Sequence, residues 1–308
     1  MTEVIGIGSS LFDILMTAEG YPKEDTKMQG SSTKLQCGGP CATALVAVSK
    51  LGVTAEYMGT LGDDLYGNFI RKEFTRFGVE HDRVRTVVGG QSFHSFVLIN
   101  TEKATRTCIW NRGTLPPPEA GDVDLERLRG AKYLHLDGHQ LDAAVYAAEK
   151  AGEYGVKVSL DAGGMYPGIE RLLPLVDVLI PSEEFALAFT GAGSAKEAAE
   201  VLEERFHPET LLVTQGQSGG FIWEDGHAVR YPVYPVKALD TNGAGDTFHG
   251  AFLAGRIRGM AVYEAAEFAS AVSALKCTRF GAQDGIPGFE ETITFMKDHH
   301  GEARDEPV

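Results

Sequence analysis

Long apolar runs are missing from these 308 residues, and none approaches the ~18 needed to cross a bilayer. The opening MTEVIGIGSS also lacks the basic flank and extended apolar stretch of a secretory signal. Basic side chains are few: 28 lysines and arginines stand against 43 acidic residues, a formal charge of -15. Broad contact with nucleic acid or anionic lipid needs basic surface to displace counterions, so neither is expected as a partner. A small anionic substrate held by two or three local cations remains compatible with that charge. Cysteine is scarce too. Cys37, Cys41, Cys108 and Cys277 form no CxxC pair. Cys37 and Cys41 can be read as metal ligands, but a chain without an export signal favours buried thiols. No GxxxxGK[ST] occurs, which excludes a Walker phosphate loop. Gly6 and Gly8 follow an apolar run, yet Leu11 stands where a dinucleotide fingerprint needs its third glycine. These absences leave a cytoplasmic globular protein.

What is present is a 43% hydrophobic chain, enough to bury a large core without staples. At ~150 residues per domain the length gives two domains, or one large α/β domain with an insertion. Short apolar runs at 4–7, 55–58, 133–136, 156–160, 178–180 and 211–214 predict buried strands. Helical spacing at 42–51, 141–151 and 195–206 falls between them. Such alternation predicts one mainly parallel sheet with crossover helices on both faces. Two stretches break the rhythm. Residues 17–36 are polar and read as irregular, whereas 92–110 alternate apolar with polar, as in FHSFVLIN and RTCIW. Alternation predicts a half-exposed antiparallel ribbon, either a lid over a pocket or an ordinary edge hairpin. The acidic tail at 301–308 reads as disordered.

The strongest local signal is DTNGAGDTFHGAF, residues 240–252. Phe248, Ala251 and Phe252 recur with helical spacing, so a helix should begin near Gly243. Gly243, Ala244 and Gly245 then offer amide N–H groups with little side-chain cover, and a helix N-terminus favours an anion. Asp246 lies in the first turn beside them. Its carboxylate could take a proton from an attacking hydroxyl while the amides stabilise charge on a transferred phosphoryl group. A plain cap needs only one such side chain, Thr241 or Asn242. Two glycines around a small residue, with aspartates on both sides, favour the chemical reading.

Three weaker signals accompany it. The run Leu211-Leu212-Val213 leads into TQGQSGG, where Thr214, Gly216 and Gly219 would stand at the carboxyl edge of a sheet, the ligand-binding edge of open α/β folds. A hairpin turn explains that text equally well in isolation. Near the start, Asp13 follows the first strand and Gly38-Gly39 precede a helix. A carboxylate and a close-approaching backbone suit sugar hydroxyls, although Asp13 alone reads more simply as a turn residue. His135, Asp137 and His139 end the run YLHL with metal-ligand chemistry but without a third ligand at suitable spacing.

At these residues the chain resembles the PfkB family of ribokinase-like sugar kinases, from Val4 to Pro287. DTNGAGD matches the family's specific C-terminal signature, GGPCATALVAVSKLG its diglycine signature and TQGQSGG its nucleotide loop. The resemblance implies a ribokinase-like three-layer α/β/α sandwich with a small β-sheet lid, here about 14–37 and 91–113. It implies transfer of the γ-phosphoryl group of ATP to a sugar hydroxyl with magnesium. On that match Asp246 is the base, and Gly243, Ala244 and Gly245 form the anion hole. Asp13, Gly38, Gly39 and Thr43 would hold the sugar. Ser182, Thr214, Gly216, Gly219, Ser273 and Cys277 would line the nucleotide. Asp240, Thr241, Gly281 and Ala282 match the family's potassium-type site. The resemblance also implies a homodimer through the lid, to which exposed Phe93, Phe96 and Leu98 would contribute.

Departures are visible. Thr43 stands in place of the family's usual asparagine. The NxxE-type motif reads Ser182-Glu183-Glu184-Phe185, which leaves Glu183 as the magnesium-water partner. Several stretches are similar to sulfofructose kinases, with Lys27 and Asn111 at places comparable to residues that meet an anionic group. That branch's arginine is Gly138 here; Arg106 or Arg112 could supply the charge. The text INTEKATRTCIWNR is similar to ketohexokinases. The expectation is a kinase for a primary hydroxyl of a small sugar, a ketose or an acidic derivative. A nucleoside kinase, with Phe12 as an aromatic platform, and a non-catalytic sugar or nucleotide sensor are the alternatives.

Overall fold

The computed structural model describes residues 2–103 and 105–299; the tail read as disordered lies outside them. The chain opens with β1 (Val4–Ile7), β2 (Leu11–Ala18), β3 (Ser32–Gly38) and helix α1 (Pro40–Lys50). Then come β4 (Ala55–Met58), β5 (Thr60–Gly62), α2 (Leu65–Phe77), β6 (Val79–Glu80) and β7 (Arg85–Val87). A long hairpin follows, β8 (His94–Asn100) and β9 (Thr105–Asn111), and then α3 (Leu125–Arg129). The middle runs β10 (Tyr133–Leu136), α4 (Leu141–Tyr154), β11 (Lys157–Ala162), β12 (Val178–Pro181), α5 (Glu183–Thr190) and α6 (Ala195–Phe206). The last third holds β13 (Thr210–Thr214), β14 (Gly220–Glu224), β15 (His227–Arg230), α7 (Ala244–Ile257), α8 (Val262–Cys277) and α9 (Phe289–Asp298).

Among the described residues, nine strands form one sheet in the order β15-β14-β13-β12-β11-β10-β1-β4-β6. Pairing is parallel from β6 across to β13, and β14 and β15 add an antiparallel edge. Alternate side chains serve the two faces. Val4 packs with Leu45, Phe252 and Phe268 from α1, α7 and α8, while Ile5 packs with Ala147 and Leu202 from α4 and α6. The result is the three-layer α/β/α sandwich that the alternating text predicts. No described helix is long and apolar enough to cross a membrane.

A second, four-stranded sheet has the order β3-β2-β8-β9. It occupies the part of the chain read as a lid and includes the predicted antiparallel ribbon. Two readings are corrected here. The stretch read as irregular contains β3 and the end of β2, because its polar residues lie on the two faces of a thin sheet that needs little apolar content. Asp13 is a mid-strand residue, paired with Gln36 on one side and Ser95 on the other, and not a turn residue. Polar contacts between this sheet and the sandwich include Lys34 to Asp284 at 2.9 Å and Arg106 to Asn242 at 3.0 Å.

Close approach of α1 and α7 fixes the floor between the two sheets. Gly250 permits it, since a Cβ there would stand 2.1 Å from the Ala44 carbonyl oxygen. The consequence is that the N-termini of both helices open toward one cleft.

Candidate active site

The turn before α7 is built by left-handed backbone. Gly243 has φ +76°, where an L side chain is strained, and a Cβ would also crowd Ala282 at 3.0 Å. One expectation needs correction. The Ala244 amide donates to the Thr241 carbonyl at 3.2 Å, so it closes the turn and is not free for an anion. Among the described residues the Gly243 and Gly245 amides pair with no acceptor. At Gly245 an added Cβ would meet nothing within 4 Å, so a phosphoryl group can reach that amide.

Asp246 faces a cavity of about 200 Å³ whose lining includes Gly245, Asp137, Asp161, Ser182, Thr214 and His249. Removal of water from its carboxyl, then the like charge of Asp161, push its pKa up to about 7. His249, one turn further along α7, opposes that rise. Its Nε2 lies 3.2 Å from Asp161 Oδ1, and both side chains are buried. Burial alone would raise Asp161, but the His249 charge and hydrogen bond outweigh it and hold the carboxyl below its usual range. His135 lies behind, 5.9 Å from His249 between ring centres; burial and His249 hold its pKa down at about 3.

Asp137 is a brace. Its carboxylate accepts from the Ser9 amide at 2.7 Å, Cys41 at 3.1 Å and His139 at 3.0 Å, tying β1, α1 and the end of β10 together. The metal reading of His135, Asp137 and His139 is not realised: His139 stacks on Tyr166, His135 is enclosed, and no described cluster of His, Cys, Asp or Glu could hold a metal. Cys37 and Cys41 are buried thiols raised well above the usual value by burial.

Asp13 is buried in the middle of β2, in the second sheet. Burial lifts its pKa, against the Ser95 hydroxyl, the Gln36 amide and the charge of Arg106. Gly38 and Gly39 are needed beside it: a Cβ would meet Asp13 Oδ2 at 2.6 Å in the first case and the Ser9 carbonyl at 2.5 Å in the second. The buried hydroxyls of Ser9 and Ser10, in the same bend, have no partner among the described residues. Thr43 is buried at the start of α1, within 3.4 Å of Gln283 Nε2. Phe12, offered as a nucleoside platform, instead packs in the core against Tyr66 and Phe69.

On the other side of the cavity, Ser182 caps α5 by accepting from the Phe185 amide at 3.1 Å and bridges to Thr214. Glu183 accepts from Gln215 at 2.8 Å. Gly216 opens a single 3₁₀ turn and Gly219 follows it, with φ +58° and +79°. Ser273 donates to the Ala244 carbonyl at 2.8 Å, and the Cys277 carbonyl accepts from Leu239 and Asp240. Both carboxylate oxygens of Asp240 are engaged: Oδ1 accepts from the Asn242 amide at 2.9 Å and Oδ2 from Gly281 at 2.8 Å. Thr241 is exposed and Ala282 is buried against Gly243.

Two expected substrate residues are not brought in by any described contact. Lys27 is exposed between β2 and β3 with no hydrogen bond or ion pair among the described residues, and Asn111 turns its side-chain oxygen onto the Gly113 amide at 2.8 Å. The sequence reading missed Asp161, His249 and Lys276. The spacing of three between Asp246 and His249 on a predicted helix was the available signal.

A model of the pfkB family of carbohydrate kinases matches residues 1–288. The chain is 27% identical over 304 residues to a ribokinase of Haemophilus influenzae, covering 94% of this chain and 97% of that one. It is 25% identical over 302 residues to a ketohexokinase of Mus musculus, covering 94% and 99%. Among solved structures, Arabidopsis thaliana ribokinase complexed with ribose and ATP superposes with a TM-score of 0.86 at 26% identity, covering 96% and 99%.

Proposed function

The chain belongs to the pfkB family of carbohydrate kinases, and from that premise we propose that it transfers the γ-phosphoryl group of ATP to a primary hydroxyl of a small sugar in the cytoplasm. One observation carries the reading: a carboxylate with pKa about 7 stands beside open backbone amides at a helix N-terminus, on a cavity at the carboxyl ends of the large sheet's strands. That pKa makes Asp246 basic enough to accept a hydroxyl proton and still ionised near neutrality. The Gly243 and Gly245 amides then receive the charge that develops on the phosphoryl oxygens.

The sugar lies against Asp13, Gly38, Gly39 and Thr43, where the unpartnered Ser9 and Ser10 hydroxyls offer further contacts. Thr214, Ser182, Gly216 and Gly219 support the nucleotide at the sheet edge, and Ser273 acts through the Ala244 carbonyl. Ser182, Glu183 and Thr214 offer hard oxygen donors at this edge, which suits magnesium, an ion that keeps most of its water. Glu183 would hold it through water. Magnesium supplies neutralisation of phosphate charge. The second sheet acts as a lid that excludes water, so that the sugar hydroxyl is the acceptor. Its exposed Leu35, Phe96 and Ile109 share one face by register, and this face is the homodimer contact we propose.

A ketose or an acidic sugar is the preferred substrate class. The Arg106 guanidinium reaches over the cleft from the lid, close enough to act on Asp13. Ribose is the second reading, favoured by the ribokinase likeness. ADP release measured over ketoses, aldoses, nucleosides and anionic sugars tests both. Turnover on an unmodified or acidic ketose is expected; turnover on ribose alone selects the second reading, and turnover on no sugar refutes the proposal.

A further inference from the structure

We propose that the ammonium of Lys276 is a built-in cation beside the anion-binding turn, so that this protein needs no free potassium or sodium ion there. The inference rests on the kinase reading for its effect on rate, though not for its geometry. Lys276 belongs to the last turn of α8 and has no solvent exposure. Its Nζ donates to the Asp240 carbonyl at 2.8 Å and to the Asn242 carbonyl, and lies 4.0 Å from Asp240 Oδ1. A buried ammonium must satisfy its donors and its charge. Here two main-chain oxygens and one carboxylate do so.

A monovalent cation at the expected site would have to share Asp240 with the lysine. Asp240, Thr241, Gly281 and Ala282 were the residues expected to hold one. Asp240 has already given its oxygens to the Asn242 and Gly281 amides and to Lys276. A second positive charge within a few ångströms of Nζ would be strongly repelled in this dry setting. Potassium therefore does not fit where the lysine sits.

The lysine is a positioning residue. A peptide unit is planar and trans, so its carbonyl and the next N–H point opposite ways. Holding the Asn242 carbonyl on Nζ turns the Gly243 N–H away from the lysine. Holding the Asp240 carbonyl as well pins the segment that leads into the Gly243 turn. Burial draws the Lys276 pKa below the usual lysine value, and Asp240 draws it back up. Because the ammonium is tethered to α8, no ion has to be captured before the turn is ordered.

The test compares the full-length protein with Lys276→Ala in tetramethylammonium chloride and in potassium chloride, each at about 0.1 M, where long-range charge effects are equally screened. The wild-type protein should turn over at the same rate, within about twofold, and melt at the same temperature in both salts. Lys276→Ala should lose about a hundredfold in turnover, the scale of one lost transition-state donor. Potassium or methylammonium should restore at least a tenth of the loss, and potassium alone should raise its melting temperature. Wild-type turnover or melting that depends on potassium overturns the proposal, as does a Lys276→Ala protein indifferent to the substitution. If that variant does not fold, the wild-type comparison decides alone. If no sugar is phosphorylated, the melting comparison still reads the cation site, so failure of the kinase reading is distinguishable.

Discussion

Replacing His249 with glutamine should move the acid limb of the reaction to higher pH. Asp246 must be ionised to accept a proton, so activity is present above its pKa of about 7 and lost below it. His249 opposes the upward shift of that pKa, and it also screens Asp161, which contributes to it. Removing the imidazole deletes a favourable charge and exposes an unfavourable one, and both changes raise the Asp246 pKa. Positions three apart on a helix place Cβ atoms about 5–6 Å from each other. At an effective dielectric of about 20, a unit charge at about 6 Å is worth about 3 kcal/mol, or about two pK units. Relaxation and water entry reduce this to between about one and two units. The ionised fraction at pH 7 would fall from about one half to about one tenth or less. The assay is kcat/KM against pH with saturating magnesium and ATP. A limb that stays near 7 or moves down would refute the electrostatic reasoning. A loss equal at every pH would assign His249 a role in folding alone.

Two further predictions concern stability. The folded-state pKa of Asp246, about 7, lies above its unfolded value of 3.8, so stability is lost as pH rises between those values and the full penalty stands above 7. Three pK units correspond to about 4 kcal/mol as an upper bound. Asp246→Asn should therefore melt several degrees higher than wild type at pH 8 without ligand, with no gain at pH 4; equal melting at pH 8 would contradict the shift. Gly250→Ala should destabilise by about 1–3 kcal/mol through overpacking, because its Cβ would sit 2.1 Å from the Ala44 carbonyl oxygen. A urea midpoint unchanged from wild type would show that α1 and α7 separate freely.

Much of the sandwich was legible because each buried strand is a short apolar run and the helices at 141–151 and 195–206 carry a one-sided pattern. The run at 133–136 and the helix at 195–206 coincide with β10 and α6. β3 was not legible. Ser32, Thr33, Lys34 and Gln36 lie in a thin sheet whose faces meet a cleft and solvent, so hydrophobic alternation is weak there. The signature around Asp246 was readable from glycine placement, since left-handed backbone at Gly243 leaves few alternatives. The Ala244 amide was misjudged because a turn bond to Thr241 leaves no trace in residue type. Long-range partners were hidden for a different reason. Asp161 lies 88 residues before His249, and Lys276 follows Asp240 by 36, so only the topology brings each pair together.

The most direct measurement compares Asp246→Asn with wild type in two assays: ADP release on the best sugar, and the dissociation constant for ATP. The account predicts a loss of about 10³-fold or more in turnover, in the range for a removed general base, with ATP affinity within about twofold. Turnover within about tenfold of wild type would contradict it, because the proton would then leave by another route.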